Sequence, residues 1–309
     1  MSFAILPSKP QTPLAYKLIE SQDINPDSPL IVFINGLGLP SVSWTSTIAL
    51  LQQSTSSIKP SILTYDRYGQ GATTSQDPAD NIPGKYPGYG HDLNDAVNDL
   101  QELIQVTIPT NPKLVLVAAS IGRTFNTDVK SPEGLDRRNV LHLLPNPSSP
   151  KLQRLNGKGS WLKDIGHDPE LFAEEMWRLL KIPKSLNRKY TQPAWQKYNE
   201  ELLTLTDADR SGKEVLIAPG CGYLIQKDNP QFVATQLEDL LSKFRSEVVV
   251  PRQNLIGWKI ITKLRRTDRK ETLFSLKRMV KMTGKRTREK FRIGSVQWSN
   301  LFETSGNII

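Results

Sequence analysis

The sequence predicts an α/β fold: a mostly parallel sheet with helices on both faces. Short segments rich in β-branched and aliphatic residues alternate with longer stretches of helical periodicity, as strands joined by helical crossovers do. Leu30–Ile34 and Leu114–Ala118 are continuous apolar runs, the pattern of strands buried on both faces. The chain has 309 residues, 38% of them hydrophobic, enough for one sizeable core and an appendage.

The elements follow in order. Phe3–Leu6 and Leu14–Ile19 are expected to pair as an antiparallel hairpin. Leu30–Ile34 is the first buried strand, closed by the turn Asn35-Gly36-Leu37-Gly38, and Ile62–Tyr65 is the next. Asp92–Gln105 reads as an amphipathic helix with Leu93, Val97, Leu100 and Ile104 on one face. Leu114–Ala118 then delivers Ser120. Downstream, Trp161–Gly166 and Glu214–Ala218 are strand candidates with weaker patterns. Pro169–Leu180 is expected to be a helix with proline in its first turn. Asn229–Phe244 closes the body, an asparagine cap preceding a proline whose fixed φ suits the first helical position.

Charge divides the chain. The net charge is +9, yet residues 245–309 hold 16 Lys and Arg against 5 Asp and Glu, a net of +11, which leaves −2 for residues 1–244. We therefore expect a body over 1–244, with a lid at about 131–205, and a basic extension over 245–309. Ile256, Ile260, Ile261, Leu264, Leu273, Leu276 and Val280 would make part of that extension a basic amphipathic helix able to touch anionic membrane or nucleic acid. Runs of like charge are more often simply solvated, so no specific nucleic-acid partner is expected. No run of eighteen apolar residues occurs, no leader-like pattern opens the chain, and Cys221 is the sole cysteine; a soluble cytoplasmic protein is expected. Neither a cofactor nor a metal is expected.

Ser120 sits at a sharp turn after an apolar strand, flanked by the small residues Ala118 and Gly122. A serine in that place is by itself an ordinary turn residue. Its neighbours add to it. Lys113–Gly122 resembles a nucleophile elbow, Ile31–Gly38 with Trp44 beyond it resembles an oxyanion loop, and Tyr65-Asp-Arg-Tyr-Gly-Gln-Gly71 resembles the Asp-Arg-x-Gly-x-Gly turn. In this order, across residues 30–122, the three resemble the α/β-hydrolase family. Gly134–Asn139, Gly159–Asp168 and Gly220–Pro230 are similar to the lid and last two strands of a fungal-type branch. The resemblance implies Ser120 as nucleophile, the backbone N–H groups of Leu37 and Ile121 as oxyanion donors, and Asp168 as the acid. The implied substrate is a small apolar or ester-like molecule.

Two departures stand against full activity. The family places its histidine after the acid, in the loop following the last strand, where this chain reads Gly222-Tyr223-Leu224. The three histidines, His91, His142 and His167, all precede Asp168, so Tyr223 takes the base position. A phenol titrates near ~10 and an imidazole near ~6.5, so tyrosine accepts a serine proton poorly at neutral pH. Secondly, only residues 123–133 stand where the family continues with a long helix and a core strand, so the sheet is expected to lack a strand beside the one ending at Ser120.

Simpler roles compete at each position. Ser120 can be a relic of the elbow, Asp168 the N-cap of the helix at Pro169, His167 a surrogate base or a side chain pointing elsewhere, and Cys221 a buried filler. The sequence thus suggests a catalytically impaired hydrolase relative. The alternative is a non-catalytic protein binding a ligand in the old pocket or a partner through the tail.

Overall fold

The computed structural model describes residues 1–21, 28–36, 39–56, 58–78, 83, 93–110, 112–119, 151–152, 158–248 and 306–308. The expected hairpin forms: β1 (Ser2–Leu6) pairs antiparallel with β2 (Lys9–Ile19), and the second strand is longer than its apolar pattern suggested. Three buried runs then become parallel strands: β3 (Leu30–Ile34), β4 (Ser61–Tyr65) and β5 (Leu114–Ala118). Burial on both faces leaves no place for a polar side chain, which is why these strands stand out in the sequence.

The sheet order is β1-β2-β4-β3-β5-β8, where β8 (Gly306–Ile308) runs parallel to β5. Beside β5, where a core strand was expected to be missing, the ladder is thus continued from the far end of the chain. The segment following Ser120 lies outside the described residues.

Helices cover both faces. Successive strand residues point to opposite sides, so Val32 and Phe33 mark the two faces. Val32 joins a core with Leu14, Leu63 and Leu116, closed by Leu100, Leu103 and Ile104 of α2 (Leu93–Thr107). Phe33 faces Trp44 at a ring separation of 5.0 Å, in the 3-10 turn Ser41–Trp44 that leads into α1 (Thr45–Gln53). Lys9 Nζ ties the hairpin to the rest of the body, donating to Asp77 at 2.5 Å and lying 2.7 Å from Asp99 on α2.

A second, two-stranded parallel sheet joins β6 (Ile165–Gly166) to β7 (Leu216–Ile217), at the two places expected for weaker strands. After β6 comes α3 (Pro169–Leu180), as expected. It is followed by a one-turn helix (Lys184–Leu186), a π-helical turn (Asn187–Thr191) and α4 (Gln192–Leu203). After β7 come α5 (Ile225–Asp228) and α6 (Pro230–Val248). The chain divides into two compact units, Met1–Leu241 with Gln297–Ile309, and Ser242–Val296. No described helix is long and apolar enough to cross a membrane.

Candidate functional site

Strand direction sets the site. The chain passes from β3 to β4 on one side, then crosses back over β3 to β5 on the other. Such a reversal opens a crevice beyond the carboxyl ends of the central strands, where ligands of open α/β sheets bind. β3 and β5 reach that edge in register, Ile34 opposite Ala118, with the Ala119 N–H donating to the Ile34 carbonyl at 3.1 Å. Leu37 lies three residues past β3, and Ser120 and Ile121 two and three past β5; all three fall outside the described residues.

The neighbouring turn after β4 is built on Asp66, which is buried. Asp66 Oδ1 accepts from the Ser41 N–H at 2.5 Å, and Oδ2 accepts from the Ala72 N–H at 2.9 Å. Gly71 has φ of 52°, and a Cβ there would overlap the Asp66 carboxylate. Glycine is therefore required twice over, by handedness and by space. Arg67 of the same turn donates to the Asn35 carbonyl at 2.5 Å. The Asp-Arg-x-Gly-x-Gly segment is in this way a clasp between the turns that follow β3 and β4.

Asp168 and the Tyr223 loop meet. Because β6 and β7 are parallel, both loops leave from the same end, and the Asp168 N–H donates to the Cys221 carbonyl at 2.8 Å. Asp168 caps α3: Oδ1 accepts from the Glu170 N–H at 2.9 Å and the Leu171 N–H at 3.3 Å. Pro169 occupies the first turn, as the capping reading anticipated.

Tyr223 is held by a carboxylate that the sequence reading missed. Glu175 Oε2 accepts from the Tyr223 N–H at 2.7 Å, and a Cβ on Gly222 would overlap the same carboxylate. The Gly222 N–H donates to Asp228 Oδ2 at 2.9 Å. Glu175 follows Asp168 by seven residues, two helical turns, so helical spacing placed the two acids on one face. What the spacing lacked was the partner. The segment beyond, α5, packs against Ser41–Trp44 and α1, bringing this loop to the crevice side of β3.

His167 points away from a base's role. Its ring stacks on Phe172 at 4.0 Å, and Nε2 donates to Gln192 Oε1 at 3.1 Å. Burial pushes the imidazole below its ordinary pKa, against the hydrogen bond it makes to Gln192. Phe172 stands between His167 and Tyr223, whose ring lies 6.2 Å from it. His91 and His142 lie outside the described residues. Cys221 is buried and unpaired, with its thiol pushed up by burial. The described residues form no cluster of His, Cys, Asp and Glu able to hold a metal.

No protein-family model matches the chain, and no curated protein does. Solved structures of low identity are similar to it. The ferulic acid-bound Est1E from Butyrivibrio proteoclasticus aligns over 80% of this chain and 100% of its own, at 10% identity and a TM-score of 0.47. A predicted CIB-like hydrolase from Thermoplasma acidophilum aligns over 78% and 97%, at 12% identity and a TM-score of 0.42. A thermophilic esterase from Thermogutta terrifontis aligns over 79% and 98%, at 14% identity and a TM-score of 0.38. The strand order, the parallel ladders and the helices on both faces make this an α/β fold of the α/β-hydrolase type.

Proposed function

We propose that this chain is a relative of serine hydrolases of ester-like substrates, in which Ser120 retains the nucleophile position and efficient turnover has been lost. The observation that carries the reading is the convergence of strand ends: β3 and β5 end side by side at the point where the strand order reverses, and the segments that follow them hold Leu37, Ser120 and Ile121. The meeting of Asp168 with the Tyr223 loop supports it, because an acid and a proton acceptor must share one mouth.

In this reading Ser120 attacks an acyl carbon while the N–H groups of Leu37 and Ile121 receive the oxyanion. The loop after β7 offers Tyr223 where an imidazole would take the serine proton. Tyr223 or a water takes it slowly, and the residual acceleration is what an oxyanion hole and binding supply without a triad, roughly 10³ to 10⁴ over water.

A fluorophosphonate probe tests this with the natural chain, Ser120→Ala and Tyr223→His. The expected outcome is negligible labelling of the natural chain and Ser120-dependent labelling after Tyr223→His. Rapid, stoichiometric labelling of the natural chain would overturn the impairment. Absence of labelling in every form would overturn the nucleophile assignment.

A further inference from the structure

Among the described residues, the stretch from the end of α3 to the start of α4 combines cations with outward-facing aromatic side chains. Between residues 177 and 197 the sequence has six cations, Arg178, Lys181, Lys184, Arg188, Lys189 and Lys197, and no Asp or Glu. Its large apolar side chains are turned outward. Trp177 is 45% exposed, Leu180 49%, Tyr190 58% and Trp195 40%. Three of these cations are matched by acids, Lys184 by Glu174 and Arg188 by Glu170 of α3, and Lys197 by Glu201 of α4 at 3.9 Å. Lys181 instead lies over the Trp177 ring at 5.9 Å, and Lys189 over the Tyr190 ring at 5.2 Å.

Outward aromatics cost solvation unless something covers them, and here each of two carries its own ammonium group. Tryptophan and tyrosine favour the boundary between headgroups and acyl chains, where an apolar ring and a polar edge are both satisfied. Lysine stems lie along apolar surface while their heads reach the anionic layer. A protein groove would need a complementary shape; a bilayer surface needs only this composition on exposed side chains.

We propose that the helical corner 177–197 docks on an anionic lipid surface, with Trp177, Leu180, Tyr190 and Trp195 entering the headgroup region and Lys181 and Lys189 meeting lipid phosphates and carboxylates. The proposal does not depend on the reactivity of Ser120.

The test is co-sedimentation of the full chain with phosphatidylcholine vesicles, with or without about 30% phosphatidylserine. The natural chain is expected to partition onto the anionic vesicles and far less onto neutral ones. Trp177→Ala with Trp195→Ala should weaken partitioning roughly tenfold through lost apolar burial. Lys181→Glu with Lys189→Glu should weaken it by at least a comparable factor, since each surface cation contributes roughly fivefold. These side chains are exposed, and the charge pair leaves the aromatic rings in place, so a folding defect in one variant does not remove the test. Equal binding of both variants and the natural chain would assign the association to the basic residues 245–309 and overturn the proposal. Equal binding to neutral vesicles would do the same. So would a dimer in vesicle-free solution that Trp177→Ala with Trp195→Ala converts to monomer, which would give this face to a second copy of the chain.

Discussion

Among single side chains, the structural role of Asp168 is the plain one. Asp168 was readable from sequence as an acid or a cap, and it caps: Oδ1 is engaged by two backbone N–H groups of α3. Asp164, four residues earlier, drew no notice in the sequence, since nothing there marks it as buried. Its Oδ2 and the hydroxyl of Tyr198 are both buried without a hydrogen-bond partner among the described residues. Burial pushes the Asp164 carboxyl up to about 6, against the Ile165 N–H hydrogen bond that favours its charged form. Burial and the Asp164 charge push Tyr198 up to about 12. The linkage sign follows. An acid whose folded pKa exceeds its unfolded value binds more protons when folded, so its contribution favours the folded state at low pH and fades as pH rises from about 4 to about 6, by at most about 3 kcal/mol. Asp99 is pushed to about 6 in the same direction by burial, with Lys9 opposing, so two groups share the slope. Asp164→Asn should flatten part of the decline and raise stability near neutral pH, read from urea unfolding across that range. An unchanged slope would show that Asp164 ionises in the folded chain as freely as in the unfolded one.

At the scale of elements, legibility followed burial. β3, β4 and β5 were readable because strands covered on both faces carry no polar positions, and α3 because a proline and an N-cap mark its start. α1 was missed: Thr45-Ser-Thr-Ile-Ala-Leu-Leu-Gln-Gln53 is short and opens on four residues of weaker helix propensity, and its helix depends on packing at Ile48 and Leu51. α4 was missed for a related reason, since of its residues only Leu203 is buried and little apolar periodicity marks it. The turn after β4 was legible as a glycine-containing motif, although the sequence did not reveal that Asp66 clasps two turns. Asp66→Ala would strand the N–H of Ser41 in a buried place and that of Ala72 in a half-buried one, and also leave space around the Gly71 turn. Each lost charge-assisted hydrogen bond is worth roughly 1.5–3 kcal/mol, so a loss of about 3 kcal/mol or more is expected in thermal or urea unfolding. A loss below about 1 kcal/mol would mean that water replaces the carboxylate without difficulty.

The whole molecule poses the question of how its sheet ends. The sequence marks a candidate site by turns whose residues Leu37, Ser120 and Ile121 lie outside the described residues, while the edge of the sheet carries no mark, because a three-residue parallel strand has no local signature and forms only against a partner already in place. Gly306–Ile308 takes that place on β5, with Gly306 opposite Leu114, Asn307 opposite Val115 and Ile308 opposite Leu116. β5 is almost entirely buried and apolar, so an uncovered edge there would template association with other chains. The C-terminal strand is thus a cover for the strand that delivers Ser120, joining the far end of the sequence to the candidate site. Proline at position 307 fixes φ and sets its ring in the middle of a three-residue strand, where only one orientation of the edge tolerates it. Asn307→Pro is therefore expected to lower stability by about 1–3 kcal/mol and to increase light scattering on warming, whereas Asn307→Val, a better strand former, should do neither. Proline and valine variants with the same melting temperature and the same scattering would mean that β5 is protected by something other than this strand.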